Sequence, residues 1–218
     1  MNLDYETSGQ TTGLKAGGRK ALVACEIFKD ELQAVFAPRP NNTHMVWLPA
    51  ALHTDIHLLE SKLEETLASL QGKGFGDIAV LYGGACSPGI ESVVARYGAV
   101  RPEGGNCLDI LLGPERTAAA ASEGAIALTP GWIRAWPSIM SAMGWDEVDV
   151  RMNLGRYELA AVFDAELRPL TEEEILWFFD VSGLVVDMRS LDLTHFRDTL
   201  YDLLVRRPAQ ADHRAGGV

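Results

Sequence analysis

Three cysteines, Cys25, Cys86 and Cys107, each stand just beyond a segment that reads as a parallel strand: ALVAC, DIAVLYGGAC and the short AVRP before EGGNC. In an open α/β sheet the carboxyl ends of the strands converge on one crevice, where ligands bind. Thiols far apart in sequence can therefore meet at one point. Thiolates suit soft and borderline ions: iron–sulfur clusters are held by cysteine sulfur, and zinc accepts cysteine, histidine and carboxylate in a tetrahedron. Three protein ligands leave a fourth position for water, substrate or an exchangeable group. No CxxC or HExxH is present, so the indication lies in placement, not in a local motif. The competing reading takes each cysteine as a small buried hydrophobe.

Several neighbours fit the same crevice. His53, in LPAALHTD, follows the second strand and is the candidate to complete or flank the ligand set. Glu26, beside Cys25, is placed to hydrogen-bond a ligand or to act as acid or base. Tyr82 precedes the second cysteine loop and lines the crevice. Gly83, Gly84 and Gly89 allow backbone to approach a cluster and direct N–H groups at sulfur, or else make a tight strand-to-helix turn. Cys25 and Cys107 open helices, whose positive dipole end favours a thiolate. The start of the helix after GGACSPG, with Ser87, also suits a small anion. His57 has helical metal spacing from His53, but the amphipathic pattern places it on an exposed face, and His195 has no partner. From a different class comes a cysteine nucleophile, Cys86 with His53 as base. That reading leaves Cys25 and Cys107 unexplained. GGRK and YGGACSPG match neither GxxxxGK[ST] nor GxGxxG, so a nucleotide cradle is unsupported.

The elements that must position these residues alternate. KALVAC, HMVWLP and DIAVLYG read as strands, AVRP as a very short fourth, and AIALTPGW, ELAAVFD and GLVVDMRSL as three more. Helical spacing follows in EIFKDELQAVF, HTDIHLLESKLEETLASLQGKG, GIESVVARYG, CLDILLG, PERTAAAASEG, LTEEEILWFFDVSG with its Thr171/Glu174 capping box, and LTHFRDTLYDLLV. Short connections between alternating strands and helices predict a three-layer α/β/α protein with a mostly parallel, doubly wound, Rossmann-like sheet. Residues 131–157, rich in Trp and Met, predict a helical lid or annex; packing of a helical annex is the commoner use of such residues. The ordered domain is expected over 19–206, with flexible tails over 1–18 and 207–218.

The chain has 218 residues, 47% hydrophobic and 22% charged, enough for one full core. A net charge of −11 without a basic stripe argues against a nucleic-acid surface. No apolar run approaches the roughly 20 residues that span a bilayer, and the N-terminus lacks the apolar stretch of a signal peptide. A cytoplasmic protein is expected, in which free thiols serve packing, catalysis or metal binding and not a disulfide framework.

ACEIFKDEL, WLPAALH, LYGGACSPGI, NCLDILLGPER and LTPGW resemble successive blocks of the bacterial and archaeal family called domain of unknown function 1638. The likeness covers residues 20 to about 145, with the C-terminal third matching less clearly. It implies that Cys25, His53, Cys86 and Cys107 are shared polar features. It also implies, by genomic association with corrinoid-dependent methyltransferases for methylated amines, a setting in one-carbon metabolism with a protein partner in methyl transfer. The resulting expectation is a metal-binding protein holding an iron–sulfur cluster, of the [4Fe–4S] type, through the three cysteines, with an open site for a small ligand. The alternatives are a zinc site built from the three cysteines with or without His53, and the Cys86/His53 thiol enzyme.

Overall fold

The computed structural model describes residues 19–38 and 42–205; the expected tails over 1–18 and 207–218 lie outside them. The apolar run after Lys20 makes β1 (Arg19–Cys25) a central strand, fully buried from Ala21 onward. It pairs in parallel with β2 (Thr43–Leu48) on one side and β3 (Phe75–Leu81) on the other, Val23 lying opposite Val46 and Val80. Burial on both faces is what a central parallel strand demands of its sequence. From β1 the chain passes through a 3-10 turn (Glu26–Phe28) and α1 (Lys29–Phe36) to β2. A second 3-10 turn (Ala50–Thr54) and α2 (Ile56–Gly72) lead to β3. The α2 helix is capped by Asp55, whose carboxylate accepts from the Leu58 amide at 3.0 Å. It buries Leu59, Leu63, Leu67 and Leu70, one stripe at helical spacing.

After β3 come a third 3-10 turn (Gly84–Cys86), α3 (Ile90–Arg96), α4 (Cys107–Leu112) and α5 (Pro114–Ser122). The expected strand at AVRP is one parallel bridge, Ala79 to Val100. Val100 uses both of its backbone groups, donating to Ile78 and accepting from Val80, but Pro102 has no N–H to continue the ladder. Then follow β4 (Ala125–Leu128), α6 (Pro130–Met143), α7 (Glu147–Leu154), β5 (Leu159–Asp164), α8 (Glu172–Ser182), β6 (Val185–Ser190) and α9 (Thr194–Val205).

The α/β class and the parallel strands are as the sequence predicts. The strands divide, however, into two three-stranded sheets, ordered β2-β1-β3 and β4-β5-β6, where one doubly wound sheet was expected. The Val100 segment occupies the outer edge of β3, and each central strand, β1 and β5, already has two partners.

One apolar core takes in both sheets. Residues 131–157 carry most of α6 and all of α7, and α6 packs into the core. Its Ile133, Trp136 and Ile139 are buried. Thr129 caps it, and Gly131 sits so close to the first 3-10 turn that a Cβ would come within 2.5 Å of the Ile27 carbonyl oxygen. At the far end of the chain, Phe196 of α9 stacks on Phe28 with ring centroids 5.6 Å apart. Among the described residues no helix is long and apolar enough to cross a membrane.

Candidate metal and thiol site

The carboxyl edge of the first sheet gathers the cysteines as the strand alternation predicts. Cys25 is the last residue of β1, Cys86 ends the third 3-10 turn, and Cys107 is the first residue of α4. Asn106 caps α4: its side chain accepts from the Asp109 amide at 2.9 Å while the Asp109 carboxylate accepts from the Asn106 amide at 3.0 Å. Two rungs tie the Cys86 turn to the loop before α4, Gly84 N–H to Gly104 O at 3.0 Å and Ala85 N–H to Gly105 O at 2.5 Å. Clamped in this way, the Cys86 and Cys107 sulfurs lie 3.5 Å apart. All three cysteines are free thiols; Cys25 and Cys107 are buried and Cys86 is half-buried.

Cys25 makes no sulfur–sulfur hydrogen bond with the pair, but it belongs to the same electrostatic unit. The Tyr82 hydroxyl is buried, approaches the Cys25 thiol without completing a hydrogen bond, and has no other partner among the described residues. Its ionisation is pushed far up, first by burial and then by the charge that Cys25, Cys107 and Cys86 carry as thiolates. One buried hydroxyl thus lies within electrostatic reach of all three thiols.

The thiols themselves differ. Burial pushes Cys25 up to about 12, against a smaller opposing contribution from the Ile27 backbone N–H. Cys86 moves the other way: it is lowered first by the Cys107 thiol that donates to it, and further by the Gly83 and Cys107 backbone N–H groups and by the positive charge of Arg101. Cys107 is correspondingly raised, by its role as donor to Cys86 and by burial. The pair therefore holds its first negative charge on Cys86 and its proton on Cys107.

Arg101 escaped the sequence reading. It lies in AVRPEGG among residues with no motif, and nothing local marks it as a neighbour of Cys86. Its guanidinium, with only 12% of the side chain exposed, pairs with Glu91 through both Nε, at 2.6 Å, and Nη2. It also donates to the carbonyls of Pro102, at 2.6 Å, and Tyr82, at 3.4 Å. Four anchors fix a cation beside the thiol pair.

Other predicted residues have structural work. Glu26 accepts the Ala50 amide at 2.8 Å and so starts the second 3-10 turn. His53 Nδ1 meets the Ala50 carbonyl of the same turn, and its ring stands edge-on to Trp132 at 5.1 Å. Among the described residues no hydrogen bond joins His53 to a cysteine. Gly89 donates to Glu60, at 3.0 Å, and to Ser87 Oγ, at 3.1 Å; the fully buried Ser87 hydroxyl also bonds Glu60, so a carboxylate already fills the start of α3. His57 and His195 are exposed.

The donor set fits a thiophilic group: three free thiols, a buried hydroxyl without a partner, backbone N–H groups directed at Cys86 and one fixed cation. Among the described residues no three His, Cys, Asp or Glu side chains close on a single-ion position.

A family model described as Protein of unknown function (DUF1638) matches residues 47–200. The match takes in His53, Tyr82, Cys86, Arg101 and Cys107. It begins beyond Cys25 and continues through the C-terminal third, where the sequence likeness was expected to fade. No curated protein matches the chain.

Proposed function

The chain belongs to the DUF1638 family, whose description carries no activity, and we propose from the site itself that this member is a metal-binding protein. It holds an iron–sulfur cluster, of the [4Fe–4S] type, through Cys25, Cys86 and Cys107. The observation that supports this reading is the convergence of three free thiols around the buried Tyr82 hydroxyl. Bound there, a cluster with three protein ligands supplies electron exchange or an open iron for a small ligand. The chain's own residues set its surroundings: Arg101 offsets thiolate charge, the Gly83 and Cys107 amides face the Cys86 sulfur, and the apolar core behind Cys25 and Cys107 keeps water out. The same proposal includes the partner in methyl-transfer metabolism that the family resemblance implies.

Zinc is the second reading, favoured by one distance. With Zn–S near 2.3 Å, two thiolates of a tetrahedral site stand about 3.8 Å apart, close to the 3.5 Å between Cys86 and Cys107. Anaerobic purification followed by an absorption spectrum and metal and sulfide analysis decides between them. A brown protein with iron and acid-labile sulfide, lost in Cys86→Ala, is the expected result. Colourless protein with one zinc per chain replaces the cluster by zinc. Metal-free protein with a single alkylatable thiol at Cys86 overturns both and leaves the thiol-enzyme reading.

A further inference from the structure

We propose that Cys86 and Cys107 are a reversible oxidation site: a peroxide joins them as a disulfide, leaving Cys25 free. The 3.5 Å between their sulfurs is a consequence of backbone, not of a chance rotamer. The Gly84–Gly104 and Ala85–Gly105 rungs hold the two segments together, and Gly83 lies flat against Asn106 and the Cys107 amide. Closing to a disulfide length of about 2.0 Å asks for a movement of roughly 1.5 Å, made from the side of the 3-10 turn that is half open to solvent.

Exposure assigns the roles. Cys86 is partly exposed and takes the oxidant; Cys107, 6% exposed, lies behind it. The Cys86 sulfur attacks one oxygen of hydrogen peroxide: an S–O bond forms, the O–O bond breaks, and the other oxygen leaves as water with the thiol's proton. The Cys107 sulfur then attacks the sulfenic sulfur. An S–S bond forms, the S–O bond breaks, and a second water carries off the Cys107 proton. Two thiols lose two electrons and two protons, and the peroxide is reduced to two waters. Cys25, which bonds neither sulfur, takes no part.

The consequence for metal loading rests on the proposed cluster reading: the disulfide removes two of three ligands, so the oxidised chain takes up no iron until a thiol reductant reopens it.

The test uses the full chain, reduced and stripped with a chelator, then titrated with hydrogen peroxide. Trypsin cuts after Arg96, between the two cysteines, so a surviving link joins two peptides. The expected product has lost two hydrogens, carries the Cys86–Cys107 cross-link, alkylates only at Cys25 and returns to three free thiols with dithiothreitol. The Cys25→Ser variant gives the same cross-link, and Cys107→Ser stops at a sulfenic acid on Cys86. A disulfide that includes Cys25, or a sulfinic acid on Cys86 with Cys107 still free, overturns the proposal. Iron reconstitution is measured separately on the reduced and oxidised wild type. At least tenfold lower uptake after oxidation supports the link to loading, and equal uptake overturns it. Failure of the reduced chain to take up iron removes the cluster reading alone and leaves the cross-link result standing.

Discussion

Gly83 lies directly against Asn106: a Cβ on Gly83 would collide with the Asn106 Cα and come within 2.9 Å of the Cys107 amide nitrogen. The backbone at Gly83, φ −72° and ψ 150°, is open to any residue, so glycine is required here by space alone. Both obstacles are backbone and cannot swing aside. Gly83→Ala is expected to cost about 2–3 kcal/mol, in the range of overpacked sites, and to part the Cys86 turn from α4. Gly89 is the control, because its added Cβ would meet only the Glu60 carboxylate, the end of a flexible side chain. Urea denaturation of both variants checks this; equal losses would mean that the Gly83 contact is not rigid.

The sequence was most legible where period and burial coincide. Central strands such as ALVAC and ELAAVF show themselves as unbroken apolar runs, and the Thr171/Glu174 capping box forms as its spacing predicts, with the Glu174 amide donating to Thr171 Oγ1 at 3.2 Å. The gathering of the cysteines followed from strand polarity alone. What escaped was decided by long-range pairing. The division into two sheets depends on which strand reaches which edge, and the outer edge of β3 is taken by Val100, whose short expected strand forms only a single bridge. Arg101 acts beside Cys86 because Glu91 and two carbonyls hold it there. His53, a candidate ligand by position, is turned to Ala50 and Trp132 by a 3-10 turn that the sequence does not announce.

Glu31 makes stability depend on pH. It is 5% exposed, its Oε2 has no partner among the described residues, and burial, helped by Asp30 and Asp164, pushes its carboxyl from 4.5 up to about 7. The folded state therefore holds the proton more tightly than the unfolded chain. The contribution is fully present below pH 4.5 and is lost as pH rises through about 7. At 1.36 kcal/mol per pH unit, the loss is about 3 kcal/mol. Glu31→Gln is expected to match the wild type near pH 4 and to exceed it by that order at pH 8. Parallel stability profiles for the two proteins, measured by urea denaturation across this range, would rule the ionisation out as the cause.

The Phe28–Phe196 stack joins the turn after Cys25 to the last helix. Both rings are fully buried. Phe196→Ala leaves a cavity beneath that turn and is expected to cost about 3–5 kcal/mol. Amide exchange is then expected to quicken at Ile27 and Phe28 before it does in β2, where the second 3-10 turn still holds the strand end. Uniform quickening across the first sheet would show that the stack stabilises the whole core and not the Cys25 turn.

Arg101 contributes to the charge state of Cys86. The Cys107 thiol is the larger influence, and the guanidinium adds to it in the same direction. Arg101→Gln keeps much of the side chain and some of its donors to the Tyr82 and Pro102 carbonyls while removing the positive charge. Cys86, released from that charge, titrates higher, so its alkylation by iodoacetamide is expected to need a more alkaline solution, with the rate at pH 7 reduced several-fold. Cys107→Ala removes the thiol donor and leaves the cation, and is expected to raise the midpoint as well. The double variant then separates the contributions. If Arg101→Gln leaves the alkylation profile unmoved, the cation serves only to pin the loop before α4, and thermal unfolding of the variant shows that role by itself.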